Sequence, residues 1–363
     1  MKAWRFYGFG DMRLDDIPVP ALRPGHVLAQ ILVVQPSVTE AQLAFGIPTL
    51  AFERIKKRLE TEAPVQLFGH EYAARVVDTG PGVTRFQRGD RVAGRAKLPC
   101  QDCALCLGGR ATLCRKGPII GFQLPGCFSE FALLPEIALT LLDGRISDSE
   151  GACLQSLSDS VAAVETAGLR IGDTVAIFGQ GSMGLECTQI ARISGAGRII
   201  AVDVRDEACA MSRQLGADVV INAAQEDVGA DIRDCTGGNG ADVTFECAGG
   251  SPKQGLAGMK SLMQAIECTL SGGTIVCVSL FGGTIEFPVD VLRERSLRYV
   301  FPDISTLEHL EHTVRLVADG RVNLKPTITH RLEGIDKAPE AFEITANKGR
   351  YKAINPAQVA LCG

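Results

Sequence analysis

Four cysteines, Cys100, Cys103, Cys106 and Cys114, stand at CxxCxxCx(7)C spacing in PCQDCALCLGGRATLC. Four thiolates on one short loop, with no histidine among them, match a closed tetrahedral zinc site. Such a site has no open coordination position, so the single ion it would hold per chain is structural. A ferredoxin-type iron-sulfur cluster is the competing reading of CxxCxxC. Against it, the fourth cysteine lies eight residues on and is followed by Arg115 rather than proline.

A second pattern lies in VAIFGQGSMGLECTQIARISGAGRIIAVDV, where Gly179, Gly181 and Gly184 have GxGxxG spacing directly after a strand-like run and at the start of a helical one. In that context the first glycine makes a tight turn, the second lets a pyrophosphate approach the backbone and the third lets helix and strand pack closely. Ser182 and Met183 fall in the first helical turn, whose unpaired amides and positive dipole end favour phosphate. The next strand ends at Asp203, a carboxylate able to accept both ribose hydroxyls of NAD and to repel the 2'-phosphate of NADP. Arg205, two places on, is the counter-signal, and NAD is the expected cofactor. ECAG (246–249) and VSL (278–280) close two further strands at their carboxyl ends. Ala248, Ser279 and Leu280 are therefore expected to line the nicotinamide half.

A third stretch, LVVQPSVTEAQL, crowds Ser37, Thr39 and Glu40 behind a proline. Ser-x-x-Glu is the spacing of a capping box, so Ser37 is read as a helix cap with Glu40 reaching back to its amide.

These residues need a scaffold. The chain has 363 residues, 46% of them hydrophobic, enough for two domains. Residues up to about 150 carry short strand-like runs such as HVLAQILVV, YAARVVDTG and EFALL, with a Gly-Asp hairpin signal in RFQRGDRVAG. They read as antiparallel β. From about residue 160, TVAIFG, RIIAVDV, DVVIN, DVTFECAG and TIVCVSL alternate with helical segments. They read as βαβ units in a parallel sheet with helices on both faces. The segment after residue 300 is too short for a core of its own and is expected to complete the first domain.

A net charge of -5 and a lone cationic cluster, RIKKRLE, flanked by acids argue against nucleic-acid binding. No apolar run approaches membrane length, so a cytoplasmic protein is expected. Thirteen cysteines, an odd number and partly inside apolar runs, fit buried thiols better than disulfides.

The two signatures in this order resemble the medium-chain dehydrogenase/reductase superfamily, in particular its zinc-containing alcohol dehydrogenases. GHEYAARVVDTGPGVTRFQRGDRV (69–92), GCFSEFALLP (126–135) and IGDTVAIFGQGSMG (171–184) extend the resemblance over essentially the whole chain. It implies an α/β protein with a GroES-like β catalytic domain (1–156 and 299–363) around a doubly wound Rossmann domain (157–298). A small-molecule substrate and a homodimer or homotetramer are also implied.

In that family a catalytic zinc is held by a cysteine, the histidine of GHE, and a third ligand just before the cofactor domain. His70 falls on the second position and Glu71 beside it. Ser37 stands where the cysteine is expected, Thr39 at the proton-relay hydroxyl, and Gln155 at the third ligand. Serine and a neutral amide are poor zinc ligands, so a tight catalytic zinc is not expected.

The resemblance implies NAD(H)-dependent hydride transfer on a secondary alcohol/ketone pair. A zinc-independent reductase of an activated C=C or C=N bond is the alternative, and a non-catalytic NAD-binding protein a third. Residues 49–67 lengthen the interval between Ser37 and His70 beyond the family pattern. They read as an amphipathic helix with Phe52, Ile55 and Leu59 on one face, either a surface insertion or a lid.

Overall fold

The computed structural model describes residues 1–250, 258–282 and 284–361. They form two compact units: Met1–Ser158 with Ile304–Gly320 and Ile328–Gly363, and Asp159–Asp303 with Arg321–Thr327.

The first unit opens with β1 (Lys2–Gly8), β2 (Asp11–Asp16) and β3 (His26–Gln35), followed by α1 (Val38–Ala44) and α2 (Phe52–Glu62). Next come β4 (Glu71–Thr79), β5 (Arg91–Gly94), α3 (Ala104–Leu107), β6 (Phe131–Pro135), β7 (Leu139–Leu141) and α4 (Asp148–Ala152). β1 and β2 pair as an antiparallel ribbon, and β3 pairs antiparallel with both β4 and β6. Alternating apolar residues put Val27, Ala29 and Ile31 of β3 in the core with Tyr72, Ala74 and Val76 of β4. The expected Gly-Asp hairpin is a longer connection: Gly89 N bonds Val76 O and Asp90 leads directly into β5.

α5 (Leu154–Ala167) precedes the second unit's sheet, whose elements are β8 (Thr174–Phe178), α6 (Ser182–Ile193), β9 (Arg198–Asp203), α7 (Asp206–Gln214), β10 (Val219–Asn222) and α8 (Val228–Cys235). β11 (Ala241–Glu246), α9 (Met259–Cys268), β12 (Thr269–Cys277), α10 (Val289–Glu294) and β13 (Arg298–Val300) follow. The six strands lie in the order β10-β9-β8-β11-β12-β13, each pair parallel. The order reverses direction beside β8, the topological switch at which such sheets bind ligands.

The chain returns to the first unit through α11 (Leu307–Ala318), β14 (Arg331–Glu333), α12 (Ala338–Ala346), α13 (Lys348–Tyr351) and β15 (Gln358–Ala360). β15 pairs antiparallel with β3, and β14 pairs parallel with β15. The boundaries differ by a few residues from those read in the sequence. β13 carries the parallel sheet past residue 299, and Asn323 exchanges backbone bonds with the Gln189 side chain, which ties 321–327 to α6.

Candidate active site and metal centre

The dinucleotide loop links β8 to α6. Gly179 has φ +88°, and a Cβ there would lie 2.6 Å from Ala248 Cα. A Cβ on Gly184 would lie 1.8 Å from Gly179 O, so no side chain is tolerated where helix meets turn. Gly181 caps α6 without a side-chain bond, leaving the amides of the first turn, at Ser182 and Met183, aimed outward as a phosphate cradle. Asp203 ends β9. Its carboxylate accepts Gln180 N at 2.6 Å and Arg205 N at 2.9 Å, with Arg205 Nε 3.6 Å from Oδ1. Each oxygen retains a lone pair for a ribose hydroxyl. Asp203 lines one pocket with Gly179, Val202, Ala248, Lys260 and Ser261. Ser279 and Leu280 lie at the end of the neighbouring strand, joined to that wall by Gly250 N to Leu280 O at 2.7 Å. A loop needing glycine for close approach, with free helical amides and a ribose carboxylate, fits NAD.

The four cysteines converge, their sulfurs all within 4.8 Å of one another. The Cys100–Cys106 and Cys103–Cys114 pairs stand 3.9 Å apart. Sulfurs at about 2.3 Å from a zinc in a tetrahedron lie about 3.8 Å from each other, whereas a cubane cluster holds its cysteines much wider. The donor set therefore fits one structural zinc rather than an iron-sulfur cluster. The Cys100 amide, 3.4 Å from Cys114 Sγ, lowers that thiol to about 6, and the Cys106 amide lowers Cys103. Cys100 moves the other way, pushed up to about 12 chiefly by its hydrogen bond with Asp102. Metal binding would draw all four to the thiolate.

Ser37 is the N-cap of α1, as its spacing predicts. Glu40 N donates to Ser37 Oγ at 3.2 Å, and Ser37 N donates to Glu40 Oε2 at 3.0 Å. The other oxygen of Glu40 accepts Gly69 N at 2.9 Å and lies 2.6 Å from His70 Nδ1. This close approach turns Nδ1 toward the Glu40 carboxylate and leaves Nε2 as the ring's other working nitrogen. Nε2 in turn is 4.0 Å from Glu71 Oε1. Phe122 packs beside the imidazole, ring centroids 5.9 Å apart. Thr39 sits in the first turn of α1, its hydroxyl without a hydrogen-bond partner among the described residues. Gln155 is the second residue of α5 and is buried.

Sequence reasoning missed a buried polar chain behind His70. Gln35 Nε2 donates to Glu71 Oε2 at 2.5 Å, and Gln358 Nε2 donates to Gln35 Oε1 at 2.9 Å. Cys153 Sγ accepts Asn355 Nδ2 at 3.0 Å and lies 3.7 Å from Gln35 Oε1. The one local signal was Gln35 itself, a polar residue closing the apolar run 31–34 of β3. Its partner Gln358 is 323 residues away. Two residues near the ligand positions are thus engaged elsewhere: Glu40 faces Nδ1 of His70, and Cys153 lies wholly inside with amides on its sulfur. Among the described residues, the group of three or more His, Cys, Asp or Glu side chains with converging ligand atoms is the four-cysteine one.

Residues 43–143 match the alcohol dehydrogenase GroES-like domain, and residues 182–306 match the zinc-binding dehydrogenase domain. The chain is similar to L-threonine 3-dehydrogenase from Pyrococcus horikoshii, 31% identical over 93% of this chain and 92% of that one. It is also similar to sorbitol dehydrogenase 1 from Saccharomyces cerevisiae, 30% identical over 94% and 93%. A crystal structure of an Escherichia coli oxidoreductase/dehydrogenase of unknown specificity shares the fold, with a TM-score of 0.89 and 24% identity over 100% of this chain and 99% of that one. The chain belongs to the zinc-containing alcohol dehydrogenase family of medium-chain dehydrogenase/reductases. It is an NAD-dependent dehydrogenase acting on a small molecule, with a cysteine cluster that fits a structural zinc.

Proposed function

We propose that this dehydrogenase moves a hydride between NAD(H) and a secondary alcohol/ketone pair at a site held by hydrogen-bond donors rather than a catalytic zinc. The observation that carries the reading is the Ser37–Glu40–His70 arrangement. Where a thiolate would have to stand, Ser37 offers a hydroxyl already engaged in a helix cap, and His70 is fastened through Nδ1 to a buried carboxylate. A hydroxyl, one imidazole and the Gln155 amide do not form a donor set that holds zinc firmly.

Bound NAD supplies the hydride acceptor and donor. The residues of this chain have the remaining task of stabilising and protonating an oxygen. During ketone reduction, charge develops on the carbonyl oxygen. Ser37 Oγ–H, whose oxygen accepts in the cap and whose proton stays available, and the Gln155 amide are the proposed hydrogen-bond donors to it. His70 Nε2 passes the proton, with the Thr39 hydroxyl as relay to solvent. In the oxidative direction the alcohol proton returns by the same path. Glu40 faces Nδ1 of the ring, and Glu71, held by Gln35, faces its other nitrogen. The substrate class rests on the relatives' names, since threonine attacked at carbon 3 and the inner hydroxyls of sorbitol are secondary alcohols.

The test combines metal analysis with turnover. The purified protein is expected to contain one zinc per chain and to reduce NAD with secondary alcohols at a rate unchanged by 1,10-phenanthroline. Two zincs per chain, with activity lost on chelation, would overturn the zinc-free site. Turnover confined to enones or imines would transfer the reading to the activated double bond.

A further inference from the structure

Glu246, the last residue of β11, is wholly buried and has no part in the hydride or proton steps above. A carboxylate with no exposure requires donors on both oxygens, and here it has them. Oε1 accepts Ala248 N at 3.2 Å, Gly249 N at 3.0 Å and Ser261 Oγ at 2.7 Å, and Oε2 accepts Ser279 Oγ. Its carbonyl adds two more bonds, from Val278 N at 2.9 Å and Ser279 N at 3.1 Å. The turn after β11, the start of α9 and the turn after β12 are thus fastened to one side chain.

The two oxygens serve different places. Ala248 and Ser261, on Oε1, line the pocket that contains Asp203 and Gly179. Ser279, on Oε2, belongs to the neighbouring turn that is expected to meet the nicotinamide. The two turns leave no slack, since a Cβ on Gly249 would fall 2.4 Å from Ser279 Cβ. We infer that Glu246 is a positioning residue for the dinucleotide, one oxygen fixing the Ala248 and Ser261 wall of the pocket beside Asp203 and the other the Ser279 turn. This rests on the NAD reading of the site and extends it to a buried residue whose hydrogen bonds go to the walls of that site.

ADP-ribose, which lacks the nicotinamide, separates the halves. NADH binding is read by fluorescence titration and ADP-ribose binding by competition, on the full-length protein. Glu246→Ala is expected to raise the Kd for NADH by about tenfold or more. Glu246→Gln is expected to recover most of the loss, because its amide oxygen can accept the Oε1 bonds while its NH2 donates to Ser279 Oγ. Ser261→Ala should weaken NADH and ADP-ribose alike, whereas Ser279→Ala should weaken NADH and leave ADP-ribose unchanged. If Glu246→Ala does not fold, the two serine variants decide. Wild-type affinity in every variant, or the same pattern in both serine variants, overturns the inference alone. A wild-type protein that binds neither probe overturns the cofactor reading with it.

Discussion

Glu40 is fully buried, and a carboxylate in that position has to meet donors. It accepts the amides of Ser37 and Gly69 and lies 2.6 Å from Nδ1 of His70. The helix cap and the candidate acid–base group therefore share one side chain, which explains the crowding of polar residues in QPSVTEA. Replacing His70 by Ala is expected to lower kcat by about 10² to 10⁴, with little change in NADH affinity measured by titration. An unchanged kcat would remove His70 from the proton path.

The stronger test at this scale restores what the sequence lacks. Ser37→Cys together with Gln155→Glu supplies a thiolate and a carboxylate to add to His70, a set of ligand types suited to catalytic zinc. The double variant is expected to carry two zincs per chain by elemental analysis where the parent carries one. If it still binds one, side-chain identity is not what keeps the metal away, because the positions themselves do not converge.

At the level of elements, α1 and α2 show what local sequence can and cannot specify. The capping box of α1 was legible because Ser37 and Glu40 are three residues apart and the chemistry is contained in one turn. α2 was legible as an amphipathic helix, but its role was not, since that depends on what its apolar face meets. Ile55 and Leu59 are buried in the core of the first unit, and Phe52 stacks on Phe9 at 5.0 Å between centroids. Arg58 donates to Phe122 O, on the residue that packs beside His70.

A helix anchored this way packs into the first unit's core, which argues against a freely swinging lid. Ile55→Ala is expected to cost about 2 to 5 kcal/mol in urea unfolding. A cost below about 0.5 kcal/mol, as for a surface residue, would favour the lid. Strands β8 to β12 of the second unit were readable as runs, since they are short, largely apolar and bounded by turn residues, and a parallel sheet covered on both faces requires that pattern. The Gln35–Glu71–Gln358 chain was not readable. It joins β3 to β4 on one side and to β15 on the other, pairings with no local signature, and a buried amide leaves no periodic trace.

For the whole molecule, the return of the chain was read from length, because the C-terminal segment is too short for a core of its own, while the crossing residue was not legible. That is decided by β13 pairing onto the parallel sheet and by Gln189 holding Asn323, neither of which has a local signature.

The metal centre is where the whole chain can be tested. The four cysteines lie in a lobe with little regular structure, the one-turn α3 and a 3-10 turn at Ala111–Leu113, and Leu107 on it is exposed. Such a segment buries too little to order itself, so its conformation depends on the ligated ion. Titration with a mercurial, which captures thiolates, is expected to release one zinc per chain and to lower the thermal midpoint. NADH binding, a property of the second unit's own loop and carboxylates, is expected to persist below that midpoint. Release of the zinc with no change in the midpoint would make the ion incidental to folding. Loss of NADH affinity in step with zinc release, at a temperature where the chain is still folded, would show that the lobe controls the cofactor site.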